Sequence, residues 1–142
     1  MSAKKNKPKN NNKWIFIGLV AIAIIVAAVL ISQPKTDGMP ATITVQQASE
    51  QFANGAFLLD VREPSEWNEA HVAGAVLIPL GELSSRISEI PTDQDVLIIC
   101  RSGNRSAQAR DILRAAGLAR TTSINGGINA WISAGLPVVS GP

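Results

Sequence analysis

The feature that most constrains the fold is the alternation of short apolar runs with segments of helical periodicity between residues 41 and 142. Apolar runs without polar alternation are typical of strands buried on both faces of a parallel sheet. Helices between such strands provide the crossovers that parallel pairing needs. The pattern therefore predicts an α/β domain with a small parallel sheet flanked by helices on both faces. The predicted strands are 41–44, 56–61, 73–79, 95–100 and 121–124, and the predicted helices are 45–53, a short one from Pro64, one within 80–90, 105–116 and 128–134.

The only cysteine of the sequence, Cys100, lies where a predicted strand turns into a predicted helix. In open parallel sheets, ligands bind beyond the carboxyl ends of the strands, and Asp60 lies at the carboxyl end of another predicted strand. A helix start leaves N–H groups unpaired and favours an anion, so a thiol placed there loses its proton more easily. The competing interpretation is a small buried hydrophobe that ends a core strand. Arg101, Gly103 and Arg105 favour the reactive interpretation.

Cysteine and histidine counts limit the chemistry that is possible. A single cysteine excludes an intramolecular disulfide and a multi-cysteine zinc site, and His71 is the only histidine. We therefore expect no metal and no cofactor.

Charge is distributed unevenly along the chain. Residues 1–13 contain five lysines and no acid, whereas the whole sequence has 13 basic and 11 acidic residues. The basic excess thus belongs to this tail, which we expect to be disordered, and the domain itself is acidic. We expect no nucleic-acid binding.

Residues 14–31 form an uncharged apolar run that begins with Trp14. A helix of this length spans roughly 27 Å, close to the thickness of a bilayer core. The alternative is a cleaved signal peptide, but the run is long for one and no small-x-small site follows it. We favour a transmembrane anchor, followed by a polar linker at 32–40. Since lysine-rich flanks stay cytoplasmic, we expect a single-pass inner-membrane protein with its C-terminal domain in the periplasm.

Four segments resemble, in order, those of rhodanese-like (sulfurtransferase) domains. The resemblance covers residues 42–137, and we expect a rhodanese-like domain over 41–142. The segments are D-V-R-E followed by E-W at 60–67, H-V-A-G-A-V-L-I-P at 71–79, C-R-S-G-N-R-S at 100–106 and G-G-I-N-A-W at 126–131.

The resemblance implies a sulfurtransferase in which Cys100 takes a sulfane sulfur from a donor such as thiosulfate. The resulting persulfide passes its outer sulfur to a thiophilic acceptor, a thiol or cyanide. The residues implied to bind the anionic donor and the persulfide are Arg101, Ser102, Gly103, Asn104 and Arg105. Arg105 contributes charge or pairs with an acid to brace the loop, while Arg101 faces solvent and steers anions.

Other polar residues are expected to be structural. The resemblance suggests that Asp60 and Arg62 support the loop and that His71 makes a structural hydrogen bond. Arg110 and Arg114 are predicted to lie on a solvated helix face.

Two other classes of function stay open. A cysteine-dependent phosphatase or arsenate reductase also uses a cysteine loop before a helix, but those phosphatases generally have Cys-x5-Arg, whereas Cys100 and Arg105 form Cys-x4-Arg. A membrane-tethered persulfide carrier or docking module shares the persulfide, so only turnover with an acceptor such as cyanide separates it from an enzyme. We expect a monomer.

Overall fold

A five-stranded parallel sheet runs through residues 38–142, which, together with Ile17, are the residues that this computed structural model describes. The strands are β1 (Thr42–Ile43), β2 (Phe57–Asp60), β3 (Val76–Leu77), β4 (Val96–Ile99) and β5 (Thr121–Ile124). Their order across the sheet is β1-β5-β4-β2-β3, and every pairing is parallel. The α-helices of this part of the chain are α1 (Val45–Ala53), α2 (Pro64–Glu69), α3 (Asn104–Ala115) and α4 (Gly127–Ser133). The prediction of a parallel α/β sheet is confirmed.

The apolar side chains of β4 alternate between two cores. Leu97 and Ile99 pack on one face with residues of α1 and α4, while Val96 and Ile98 pack on the other face with residues of α3. All four are buried. Helices on both faces therefore explain why the central strand is apolar at every position.

Thr44 fixes the start of α1 through a capping box. Its hydroxyl accepts a hydrogen bond from the backbone N–H of Gln47 at 3.2 Å, and the Gln47 amide oxygen accepts one from the backbone N–H of Thr44 at 3.0 Å. Two otherwise unpaired N–H groups are satisfied in this way. The predicted helix 45–53 has the bounds that the structure shows.

Residues 80–90 differ from the single helix that their apolar spacing predicts. They form two short 3-10 helices, Leu83–Ser85 and Ile87–Glu89. The Ser85 hydroxyl donates to the Glu82 carbonyl at 2.8 Å, a local bond that competes with regular helix. Leu83 and Ile90 are still buried, so the apolar spacing marks the core correctly and the secondary structure incorrectly.

The prediction that Arg110 and Arg114 lie on a solvated face is wrong. The Arg110 guanidinium donates to the carbonyl of Ala41 at 2.9 Å, and that of Arg114 donates to the carbonyls of Met39 at 2.6 Å and Thr121 at 2.7 Å. Long aliphatic stems let both charged groups reach backbone oxygens of neighbouring segments. Met39, which lies in the predicted linker, packs against the core.

The predicted tail 1–13, the predicted anchor 14–31 except Ile17, and the predicted linker as far as residue 37 lie outside the described residues. Among the residues that are described, no helix has both the length and the apolar composition to cross a membrane.

Gly127 places the start of α4 directly against the backbone that follows β4. Its φ is +56°, and a Cβ atom there would lie 2.3 Å from the carbonyl oxygen of Cys100 and 2.7 Å from the carbonyl carbon of Arg101. The N–H of Ile128 donates to that Cys100 oxygen at 2.8 Å. Only glycine permits this approach, because any side chain would push the two backbones apart.

The substitution Gly127→Ala is expected to reduce the free energy of unfolding by more than about 3 kcal/mol, since backbone atoms cannot yield to the new methyl group. Gly135→Ala is the matched control: its φ is +73°, but a Cβ there meets nothing within 4 Å. The control should cost only the left-handed backbone strain of about 1 kcal/mol. Urea unfolding of both variants followed by tryptophan fluorescence measures the difference, and equal losses would contradict the proposed close packing.

Candidate active site

Cys100 lies immediately after β4, in the middle of the carboxyl edge of the sheet. β4 is bordered by β5 on one side and β2 on the other. Asp60 ends β2 and pairs in register with Ile99, so the predicted meeting of Asp60 and Cys100 at one edge is what the structure shows. The Cys100 side chain is almost completely buried, with 1% of the residue exposed.

The loop after Cys100 turns its own polar hydrogens toward the sulfur. The backbone N–H of Gly103 donates to Cys100 Sγ at 3.1 Å, and Gly103 has a φ of +105° that brings it into this position. The hydroxyl oxygen of Ser106, in the first turn of α3, lies 3.5 Å from Sγ. Ser106 is fully buried. The sulfur therefore accepts a hydrogen bond from Gly103, lies beside the Ser106 hydroxyl and is almost completely removed from solvent.

These donors change the acidity of the thiol. Burial alone raises the pKa of Cys100, because a charge loses its solvent. Hydrogen bonds from the Ser106 hydroxyl and from the backbone N–H groups of Ser106, Gly103 and Ser102 lower it and outweigh burial. The net pKa of the Cys100 thiol is lower than its ordinary value, so this thiol loses its proton more easily than an ordinary cysteine does.

Arg105 is committed to an ion pair with Glu66 of α2. Its Nη1 and Nη2 atoms each lie 2.7 Å from a different carboxylate oxygen of Glu66, which is the strong bidentate arrangement. The hydrogen bond from Arg105 lowers the pKa of Glu66 to about 2, and the same contact raises the pKa of Arg105. Of the two alternatives raised by the sequence, the bracing ion pair is the one that the structure contains.

Asp60 and Arg62 form a second, buried ion pair that fastens α2. Arg62 Nη2 lies 2.7 Å from Asp60 Oδ2, and Nε lies 3.0 Å from Oδ1. Nη1 also donates to the carbonyl of Glu66 at 3.1 Å, and Nη2 donates to that of Ala70 at 2.8 Å. The pair therefore acts directly on α2, and Glu66 of that helix in turn binds Arg105.

His71 makes the structural contacts that the family resemblance implies. Its Nδ1 lies 3.0 Å from the carbonyl oxygen of Trp67, and its ring stacks on the Trp67 indole with centroids 3.8 Å apart. The ring is buried between α2 and the last residues of the domain, because the His71 backbone pairs with Val139.

A cavity of about 260 Å³ opens beside the Cys100 loop. Charged side chains of both signs line it, Arg62, Glu66 and Arg101 among them, together with Ile128 and Asn129 of α4. Arg101 is exposed, as the sequence predicts, and so are Ser102 and Asn104. Such a lining suits a small polar solute.

Three residues of this site, Glu66, Ser106 and Ser123, were not predicted from the sequence to belong to it. Glu66 had a signal, because it belongs to the acid-tryptophan pair quoted above, and Ser106 had one, because it ends the cysteine motif. Ser123 had only a weak signal, a polar residue within a strand that is buried at every position. Its hydroxyl lies 2.8 Å from that of Ser106.

Fold and site together define a rhodanese-like domain, and the chain belongs to that family: the family model described as a rhodanese-like domain matches residues 44–134. A protein named sulfurtransferase from Allochromatium vinosum is 43% identical over 100 residues, covering 69% of this chain and 94% of that protein. Thiosulfate sulfurtransferase 16 from Arabidopsis thaliana is 31% identical, covering 70% of this chain and 92% of its own. The crystal structure of a rhodanese-related protein from Thermoplasma volcanium is similar, with a TM-score of 0.66 and 34% sequence identity. The match covers 70% of this chain and 98% of that chain.

The Glu66–Arg105 ion pair makes the free energy of unfolding depend on pH in the acidic range. The pKa of Glu66 falls from an ordinary 4.5 to about 2 in the folded domain. Its contribution is therefore complete above pH 4.5 and is lost as the pH falls from there toward 2. After a discount for partial solvation, Glu66→Gln should cost about 1–2 kcal/mol at neutral pH and almost nothing near the folded pKa.

Urea unfolding at a series of pH values measures this dependence. Glu69→Gln is the control, because Glu69 is on the same helix, is exposed and has no ion pair among the described residues. A difference between wild type and Glu66→Gln that stays constant with pH would contradict the assignment.

Proposed function

We propose that this protein is a sulfurtransferase that carries a sulfane sulfur from a donor such as thiosulfate to a thiol or cyanide-type acceptor through a persulfide on Cys100. The observation that carries the proposal is a buried sulfur at the end of a central strand, held 3.1 Å from the N–H of Gly103 and close to Ser106. The sulfurtransferase names of relatives that align over most of their length support it.

The proposed reaction needs only the groups at this site and its two substrates. The Cys100 thiolate attacks the outer sulfur of thiosulfate, an S–S bond forms, and the S–S bond of thiosulfate breaks so that sulfite leaves with the electron pair. The persulfide then carries the negative charge on its outer sulfur. An acceptor such as cyanide attacks that sulfur, forms thiocyanate and returns Cys100 to the thiolate.

In this proposal the loop residues act mainly through their backbone. The N–H groups of the loop from Arg101 to Arg105 stabilise the anionic donor and the persulfide, since preorganised donors in a buried site replace water. The exposed guanidinium of Arg101 attracts anions to the adjacent cavity.

Phosphatase or arsenate reductase chemistry is a weaker proposal for the same loop. An arginine that clamps a phosphoryl group must offer its N–H groups to the phosphate oxygens. Here both terminal nitrogens of Arg105 are held by Glu66 at 2.7 Å. Together with the short Cys-x4-Arg spacing, this favours sulfur transfer.

We also propose that residues 14–31 anchor the protein in the inner membrane as a monomer, with residues 1–13 cytoplasmic and the domain periplasmic. The support is the uncharged apolar run and the five lysines that precede it.

Brief treatment of the full chain in detergent with thiosulfate is expected to add about 32 Da, one sulfur atom, to its intact mass. The added mass should disappear with a reducing thiol and should be absent from Cys100→Ser. If thiosulfate and other sulfane donors add nothing to the wild type, the sulfurtransferase proposal fails. Release of thiocyanate over many turnovers with cyanide identifies an enzyme, whereas a single release identifies a carrier.

Membrane anchoring predicts a defined response to protease in a two-membrane bacterium. The domain should be digested once the outer membrane is opened, while the full-length chain of untreated cells should stay in the membrane after alkaline extraction. A mature chain whose mass lacks the first residues up to about position 33 would instead identify a cleaved signal peptide.

A further inference from the structure

Ser123 connects the neighbouring strand β5 to the Cys100 loop. It pairs in register with Ile98 of β4 and is 2% exposed. Its Oγ lies 2.8 Å from Ser106 Oγ, and among the described residues Ser106 is the only hydrogen-bond partner of this hydroxyl. None of the motifs that identify the family assigns a role to this position.

The proton of Ser106 decides what its hydroxyl can do for the sulfur. Ser106 Oγ has three neighbours: the carbonyl of Gly103 at 3.0 Å, Cys100 Sγ at 3.5 Å and the hydroxyl of Ser123. One hydroxyl carries one hydrogen, so it donates to one of them at a time. With a neutral thiol, the S–H group donates to Ser106 and Ser106 donates to Gly103.

Ionisation of Cys100 redirects that hydrogen. When the S–H proton leaves to water, the sulfur becomes an acceptor, and the Ser106 hydroxyl turns from Gly103 to Sγ. The Gly103 carbonyl is not left unpaired, because the N–H of Ala107 also donates to it at 3.1 Å. The loop can therefore exchange this bond without losing a buried hydrogen bond elsewhere.

In both arrangements the hydrogen of Ser106 is occupied, by the Gly103 carbonyl or by Sγ, so Ser123 must be the donor in the bond between the two hydroxyls. We propose that Ser123 is a positioning residue, which donates to Ser106 and thereby leaves the Ser106 hydrogen available to the Cys100 sulfur when the thiol ionises. The chain Ser123 to Ser106 to Cys100 lies in a buried environment, where successive hydrogen bonds strengthen one another. This inference rests on the proposed function, in which Cys100 reacts as a thiolate.

The charged groups around Cys100 all lie on elements other than β5, the strand that carries Ser123. Arg101 and Arg105 belong to its own loop and the start of α3, Glu66 to α2, and the Asp60–Arg62 pair to the end of β2. β5 contributes only Thr121, Thr122, Ser123 and Ile124, none of which is charged. Replacement of Ser123 therefore removes a hydrogen bond and leaves every charge in place.

The test is the pH dependence of alkylation by iodoacetamide, measured on the full chain in detergent. Because Cys100 is the only cysteine, the rate reports this thiol alone. Ser123→Ala should move the midpoint of the profile to higher pH and slow alkylation at neutral pH about threefold to tenfold. The rate at high pH, where the thiol is fully ionised, should stay near that of wild type.

Thr122→Val is the matched control. Thr122 is the preceding residue of β5, is equally buried and donates to the Pro40 carbonyl at 2.7 Å, but faces the other side of the sheet. Its profile should coincide with that of wild type. A Ser123→Ala profile that also coincides with wild type overturns the proposal, and so does an equal shift in both variants.

A second pair of variants keeps the test decisive if Ser123→Ala does not fold. Ser123→Thr and Ser123→Val have the same shape and differ in the hydroxyl, so the threonine variant should have the lower midpoint, and equal midpoints would overturn the proposal. No sulfur donor enters these assays. A shifted alkylation profile without persulfide formation would thus disprove the proposed function and retain the role of Ser123. Persulfide formation without a shifted profile would disprove the role of Ser123 and support the proposed function.

Discussion

The burial of the Cys100 sulfur among polar groups of its own loop is the constraint on which the rest of this structure depends. Only 1% of Cys100 is exposed, and loss of water disfavours an anion unless other donors replace it. The donors come from the peptide that follows it, through Gly103, and from the first turn of α3, through Ser106. The loop can turn around the sulfur because Gly103 has a left-handed backbone, and it stays there because α4 packs on its outer side. Acidity of the thiol is thus a property of the folded loop.

The loop is held from outside by α2, a helix of only six residues. Such a short helix is not stable by itself, so its position depends on the contacts of Arg62 with the Glu66 and Ala70 carbonyls. The Asp60 carboxylate neutralises the charge of the buried Arg62 guanidinium. The Glu66 carboxylate of α2 binds Arg105 and so connects the helix to the loop. The two ion pairs thus have different roles. The buried Asp60–Arg62 pair fixes the position of α2, and the half-buried Glu66–Arg105 pair connects α2 to the loop.

Some elements of the fold and the site could be predicted from the sequence, and others could not. The strand before Cys100 and the helix from Val45 were predictable, because apolar runs and capping residues are local signals. The resemblance to the family located the cysteine loop and the segment with Glu66. It did not reveal that Glu66 and Arg105, 39 residues apart, form one ion pair, or that Arg114 reaches Met39, because these contacts depend on how the crossovers fold back. Ser123 was the least predictable, since its importance comes only from the neighbour that strand pairing gives it.

The strand pairing also has a consequence for the stage of folding at which the surroundings of Cys100 form. The paired residues of β4 and β2 are 39 positions apart in the sequence, and those of β4 and β5 are 25 positions apart. Contacts of such long sequence separation form late in folding. Before they form, Cys100 is an ordinary thiol in a flexible chain, without the donors that make it acidic. Completion of these strand pairings therefore brings the donors to the sulfur and removes it from solvent in the same step, so the lowered pKa and the burial of Cys100 arise together in the folded domain.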